Sequence, residues 1–132
     1  QYAAYELHAR KHNLTSKELF VLDIVWFSED GCLQSEICER LTATKQTVSA
    51  IIKKFWKLGY LSLTEAENDR RNKIVRFTDT GREYAKNIIP PAANAEIAAM
   101  AELEDKDIIE MIRITAMFSN YMKKKFSEIK EN

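Results

Sequence analysis

The chain has 132 residues, 45% of them hydrophobic, a length and apolar content that suit a single folded domain of ordinary size. Three glycines and two prolines are too few for a collagen-like chain, a linker or a turn-rich β-sandwich. The 20 basic and 20 acidic side chains cancel, which taken alone argues against a polyanion-binding protein.

That cancellation is not uniform. Residues 40–76 contain Arg40, Lys45, Lys53, Lys54, Lys57, Arg70, Arg71, Lys73 and Arg76 against Glu65, Glu67 and Asp69, a local excess of six positive charges. The flanking segments carry the matching acidic excess. Salt screens charge beyond about 8–10 Å, so the local sign governs contact with phosphate. The longest apolar run, Leu19-Phe20-Val21-Leu22, is interrupted by Asp23 before Ile24-Val25-Trp26-Phe27, far short of the roughly 20 residues a membrane span needs. The chain opens Gln1-Tyr2-Ala3-Ala4-Tyr5, with no signal pattern and no methionine. These features predict a trimmed start, no membrane partner and a cytoplasmic protein.

Residues 2–12 lack Gly and Pro and read as a helix, with Tyr2, Tyr5, Ala9 and His12 along one side. Thr15-Ser16-Lys17-Glu18 is a capping box that opens a second helix, to about residue 28, apolar nearly all round and expected to be buried. Asp30-Gly31 turns the chain. A short helix over 34–41 places Ile37 and Leu41 inward. After Thr42-Ala43-Thr44, a helix capped by Thr44 and running to Leu58 carries the stripe Val48, Ile51, Ile52, Phe55 and Leu58. Gly59 is placed for a left-handed C-terminal turn.

Leu61 and Leu63, then Lys73, Val75 and Phe77, alternate on either side of a charged tip at 65–72, the pattern of a β-hairpin. Thr78 or Thr80 starts a further helix, which Pro90-Pro91 should kink or interrupt. A last helix is expected over 105–130.

Two helices joined by a short turn and followed by a basic hairpin make a winged helix-turn-helix. Here the sequence resembles the MarR family of bacterial transcription regulators. The residues that carry the likeness are Gln34-Ser35-Glu36-Ile37-Cys38-Glu39-Arg40-Leu41, Thr44-Lys45-Gln46-Thr47-Val48-Ser49, Leu58-Gly59-Tyr60-Leu61, Asp69-Arg70-Arg71-Asn72-Lys73 and Phe77-Thr78-Asp79-Thr80-Gly81. The resemblance implies a mainly α fold with a small β-hairpin wing and one domain over 1–132. Its DNA-binding core would span 15–88, with dimerisation helices at 1–14 and 89–132. It implies a homodimer that binds double-stranded DNA at an inverted repeat, as a repressor released by a small-molecule effector. Leu33 departs from the family, which often has a capping Thr at that place.

Within that frame Thr44, Lys45, Gln46, Thr47 and Ser49 lie at the end of the recognition helix that meets base edges. Gln46 suits adenine, and Thr47 a thymine methyl or a phosphate. Lys53 and Lys54, with Lys57 beyond them, suit the phosphate backbone, as does Lys73. By resemblance Arg71 is the minor-groove residue, Asp69 braces an arginine of the wing, and Arg70 receives that brace or meets phosphate. The last helix offers Ile108, Met111, Ile112, Phe118, Met122 and Phe126 to a dimer seam, joined by Tyr2 and Tyr5 from the first helix.

Other candidates read more plainly. Cys32 and Cys38 are expected as buried thiols rather than a redox pair, and His8 and His12 as helix histidines without a metal. Trp26, Phe27 and Tyr84 read as core rather than as the lining of an effector pocket. No phosphate loop, serine elbow or CxxC pair is present, so no enzyme and no cofactor are expected. The alternative function is a winged helix that binds protein without specific DNA affinity.

Overall fold

A computed structural model describes residues 1–131 as two compact units, Gln1–Ala93 and a second from Asn94 onward. The first unit opens with α1 (Tyr2–Lys11) and α2 (Ser16–Trp26), then β1 (Cys32–Leu33), α3 (Gln34–Leu41) and α4 (Lys45–Lys57). The hairpin β2 (Leu61–Ala66) and β3 (Asp69–Phe77) follows, then α5 (Asp79–Ala85). The unit boundary falls within α6 (Ile89–Ala101), and α7 (Asp105–Ser127) lies in the second unit. The fold is mainly helical with a three-stranded antiparallel sheet, as the winged-helix reading requires.

The capping box at the start of α2 is complete. Thr15 Oγ1 accepts the Glu18 N–H at 3.1 Å, and Glu18 Oε1 accepts the Thr15 N–H at 2.9 Å. From there α2 runs through the core, burying Leu19, Val21, Leu22, Ile24 and Val25 with Ile37 of α3 and Val48, Ile52 and Phe55 of α4. Full burial of each such side chain contributes about 1.5–3 kcal/mol, so this crossing anchors the first unit. Inside it α1 buries Ala9 completely and sets the Tyr5 ring 5.3 Å from that of Phe20.

Several expectations shift. The second helix ends at Trp26, not near residue 28. Leu58 is exposed, not part of the core stripe. The left-handed Gly59 (φ +79°) turns the chain there, and Tyr60 N–H reaches back to the Phe55 carbonyl. Cys32 and Leu33 form a strand that periodicity did not suggest, pairing with Val75 and Ile74 to give the sheet order β1-β3-β2. The helix after the wing stops at Ala85, before the prolines. A turn at 86–88 intervenes, and Pro90 and Pro91 sit in the first turn of α6, where a missing N–H costs nothing.

The hairpin tip is also tighter than expected, with only Glu67 and Asn68 in the turn. Glu65 pairs with Lys73 and the very next residue, Ala66, with Asp69, so Arg70, Arg71 and Asn72 bulge out of the ladder.

Candidate nucleic-acid interface

The recognition helix begins where Thr44 Oγ1 accepts the Thr47 N–H at 3.2 Å. The Thr44 hydroxyl in turn donates to Thr47 Oγ1 at 2.9 Å. This cap leaves Lys45 and Gln46 exposed beside the positive end of the helix dipole. Ser49, one turn on, is engaged within the fold: its Oγ accepts from Gln34 Nε2 at 2.5 Å. Lys53 is exposed on the same side of α4, next to Trp56, which is 52% exposed. Gln34, Ser49, Ile52, Lys53, Trp56 and Leu63 line an open groove of about 310 Å³ between the start of α3, the middle and end of α4, and β2. Trp56 was missed as a site residue, although its place three residues beyond Lys53 and seven beyond Ser49 puts it on their face.

Lys54, expected on the phosphate backbone, turns the other way. Its Nζ pairs with Glu18 Oε2, whose side chain is only 9% exposed. Burial alone would push the Glu18 carboxyl up. The Lys54 hydrogen bond, the Thr15 N–H and the Lys54 charge outweigh it and hold the group below the usual carboxylate range.

In the wing, Asp69 does brace, but it braces backbone. Its Oδ1 accepts the Arg71 N–H at 3.0 Å and touches no guanidinium. The carboxylate two residues back is within reach of an amide N–H, a local turn contact that needs no long side chain to be ordered. Glu65 gathers the other cations, with Arg70 Nε at 3.8 Å and Lys73 Nζ at 3.4 Å. Arg76 Nη1 donates to Thr64 Oγ1 at 2.8 Å. Among the described residues the Arg71 side chain has no partner and is exposed. The wing and the recognition helix adjoin through the first turn of α3. Gln34 bonds Ser49, and Ser35 bonds Asn72, whose Nδ2 donates to Ser35 Oγ at 3.0 Å.

The seam residues divide. Met111, Ile112, Phe118, Met122 and Phe126 of α7 are exposed, whereas Ile108 is half-buried. Tyr2 is exposed, but Tyr5 is half-buried against Phe20 and so is engaged inside the first unit. Trp26 packs edge-on against Phe77 with Arg82 over its face, and Tyr84 stacks on Tyr60 at 4.2 Å. Phe27, expected in the core, is exposed at the end of α2.

The buried Cys32 donates to Glu36 Oε2 at 3.2 Å, and burial and that bond push its thiol up to about 11. His8 Nε2 donates to the Ile88 carbonyl at 2.7 Å, and its ring meets that of His12 at 4.8 Å. Burial first, then the His8 and Lys11 charges, push the His12 pKa down. No helix among the described residues is long and apolar enough to cross a membrane.

A model of the MarR family matches residues 12–72. The HTH-type transcriptional regulator MgrA of Staphylococcus aureus is 25% identical over 107 residues, 80% of this chain and 69% of the relative. The transcriptional repressor MprA of Escherichia coli is 26% identical over 80 residues, 59% of this chain and 46% of the relative. The solved structure of NMB1585, a MarR family regulator from Neisseria meningitidis, is similar with a TM-score of 0.80 at 26% identity, covering 97% of this chain and 89% of that one.

Proposed function

Because the chain belongs to the MarR family of DNA-binding transcription regulators, which are not enzymes, we propose that it is a homodimeric repressor that reads an inverted-repeat operator. The observation that carries this reading is the continuity of one polar surface. Ser49 of α4, which lies between Gln46 and Lys53 in sequence, and Asn72, next to Arg71 on the wing bulge, both bond the first turn of α3, so the exposed Lys45, Gln46 and Lys53 and the exposed Arg71 stand on the two elements joined there. In this reading the N-terminal half of α4 enters the major groove, with Gln46 on adenine and Thr44, Thr47, Lys45 and Lys53 on bases and phosphates. Arg71 enters the adjoining minor groove, where a narrow A·T tract concentrates negative potential. Lys57, Arg70 and Lys73 serve the backbone more weakly.

The two-fold assembly is supported by α7. Its exposed Met111, Ile112, Phe118, Met122 and Phe126 form a larger apolar surface than a solitary chain leaves wet, and a second copy would cover it. Tyr2, exposed on α1 of the first unit, would pack with its own two-fold mate. The repressor reading is supported by the likeness to MprA.

Selection of bound sequences from random DNA, followed by isotherms on the selected site and on one half of it, tests the proposal. The expected result is an inverted repeat with half-site centres about 10–10.5 bp apart, bound far more tightly than a single half. Equal affinity for a single half-site, or a monomer at micromolar concentration by light scattering, would refute the two-fold reading. Absence of any sequence preference would favour a winged helix that binds protein instead.

A further inference from the structure

The start of α3 is short of a cap. Leu33 has no side-chain acceptor, and the only help from within the helix is Glu36 Oε2, which accepts the Leu33 N–H at 3.4 Å. The N–H of Ser35, the second residue of the helix, is taken by Asn72 Oδ1 at 3.3 Å, while Asn72 Nδ2 donates to Ser35 Oγ at 3.0 Å. A wing residue 37 positions away thus does what a capping side chain does elsewhere.

Asn72 is also the last residue of the three-residue bulge that carries Arg70 and Arg71. The bulge has no ladder partner, so the Asp69 turn and the Asn72 pair are what order it. On the other side of the same turn, Gln34 fastens to Ser49 of the recognition helix. Two adjacent residues therefore grip the two halves of the interface, Gln34 the helix and Ser35 the wing.

We propose that Asn72 is a positioning residue for Arg71: through Ser35 it fixes the distance from wing to recognition helix, and so sets where the wing meets the DNA flanking each half-site. This rests on the reading of Arg71 as a minor-groove contact. With the pair broken, the bulge must be ordered anew whenever DNA binds, and that cost falls on the wing contact alone. The centre of the half-site, read from α4, should not notice.

The test is affinity and base preference for Asn72→Ala, Ser35→Ala, the double variant, Ser35→Thr and Arg71→Ala, on operators with A·T or G·C flanks. Asn72→Ala should weaken binding about three- to tenfold on A·T flanks, the range one or two lost hydrogen bonds supply, and should flatten the flank preference while sparing the half-site centre. Ser35→Ala, which keeps the backbone bond to Asn72 Oδ1, should lose part of this, the double variant should lose no more than Asn72→Ala alone, and Ser35→Thr, which keeps the hydroxyl, should bind as the parent does. Additive losses, or equal loss of flank and centre preference, would overturn the proposal, because both describe general damage and not a lost spacer. An intact flank preference in Asn72→Ala, with Arg71→Ala having lost it, overturns the positioning role alone. If Arg71→Ala itself keeps affinity and flank preference, the minor-groove reading fails and takes this proposal with it.

Discussion

Lys53 and Lys54 are adjacent, equally basic and on one helix, yet the structure ties Lys54 to Glu18 and leaves Lys53 exposed. Lys54→Met should therefore act on stability. The Glu18 carboxylate it abandons is nearly buried and is left with Thr15 as its hydrogen-bond partner among the described residues. A fully buried charged hydrogen bond is worth about 1.5–3 kcal/mol, and the 48% exposure of the Lys54 side chain discounts that to about 1–2 kcal/mol. The loss should appear as a lower urea midpoint with unchanged slope.

Acid should erase it. The lowered pKa of Glu18 means that its ionised form contributes stability above the ordinary carboxylate range, and that contribution disappears as pH falls through the lowered value. Parent and Lys54→Met should therefore converge in acid. On DNA the pattern reverses: Lys53→Met should reduce the slope of log affinity against log salt by about 0.9 per copy, and Lys54→Met should leave it alone. A Lys54→Met protein of parental stability with a shallower salt slope would refute this division.

Cys32 should resist alkylation in the folded protein. A thiol pushed up to about 11 from 9.0 holds about a hundredfold less thiolate, so iodoacetamide followed by mass spectrometry should find Cys38 labelled first, and equal rates would count against it. Thr42 takes a left-handed backbone (φ 50°) at an exposed position after α3, a strain that a β-branched residue bears badly. Thr42→Asn should raise stability by roughly 0.5–1 kcal/mol in thermal unfolding, and a loss would show that the threonine is otherwise needed. Gly81→Ala would drive its Cβ into the Tyr60 carbonyl oxygen, which α5 can relieve only by moving off the turn before β2. It should cost more than about 2 kcal/mol, and a neutral calorimetric result would contradict that packing.

What the sequence made legible was local. The Thr15 capping box, the Thr44 and Thr78 caps and the inward Ile37 all lie within one or two turns of the residues that reveal them. The basic excess of 40–76 and the Asp69-Arg70-Arg71 run, local features too, are what single out the candidate interface. What escaped depends on distant partners. A two-residue strand such as β1 has no periodicity of its own, and exists because β3 offers it an edge. Leu58 follows the helical stripe by spacing, but the chain has already begun to turn at Gly59. Lys54 looked like Lys53 until Glu18, 36 residues earlier, was brought beneath it. The unit boundary lies inside Ile89–Ala101, an alanine-rich helix with no change of composition to announce it.

The manner in which Asp69 braces the wing bears directly on binding. Had it held the Arg71 guanidinium, the minor-groove contact proposed for that residue would first have to break a charged hydrogen bond, one of the stronger contacts a surface offers. Bonded instead to the Arg71 N–H, Asp69 fixes the backbone and leaves the charge unspent. Glu65 completes the arrangement by drawing in Arg70 and Lys73, so that of the side chains at 70, 71 and 73 that of Arg71 alone has no ion pair among the described residues. The local excess of six positive charges therefore overstates the number of phosphate partners and understates their placement. Lys54 is committed to the core, and Arg70 and Lys73 share one carboxylate. Among the described residues of this segment Arg40, Lys45, Lys53, Lys57 and Arg71 hold no ion pair, and of these Lys45, Lys53 and Lys57 on the helix and Arg71 on the wing lie on the two elements that meet at the first turn of α3.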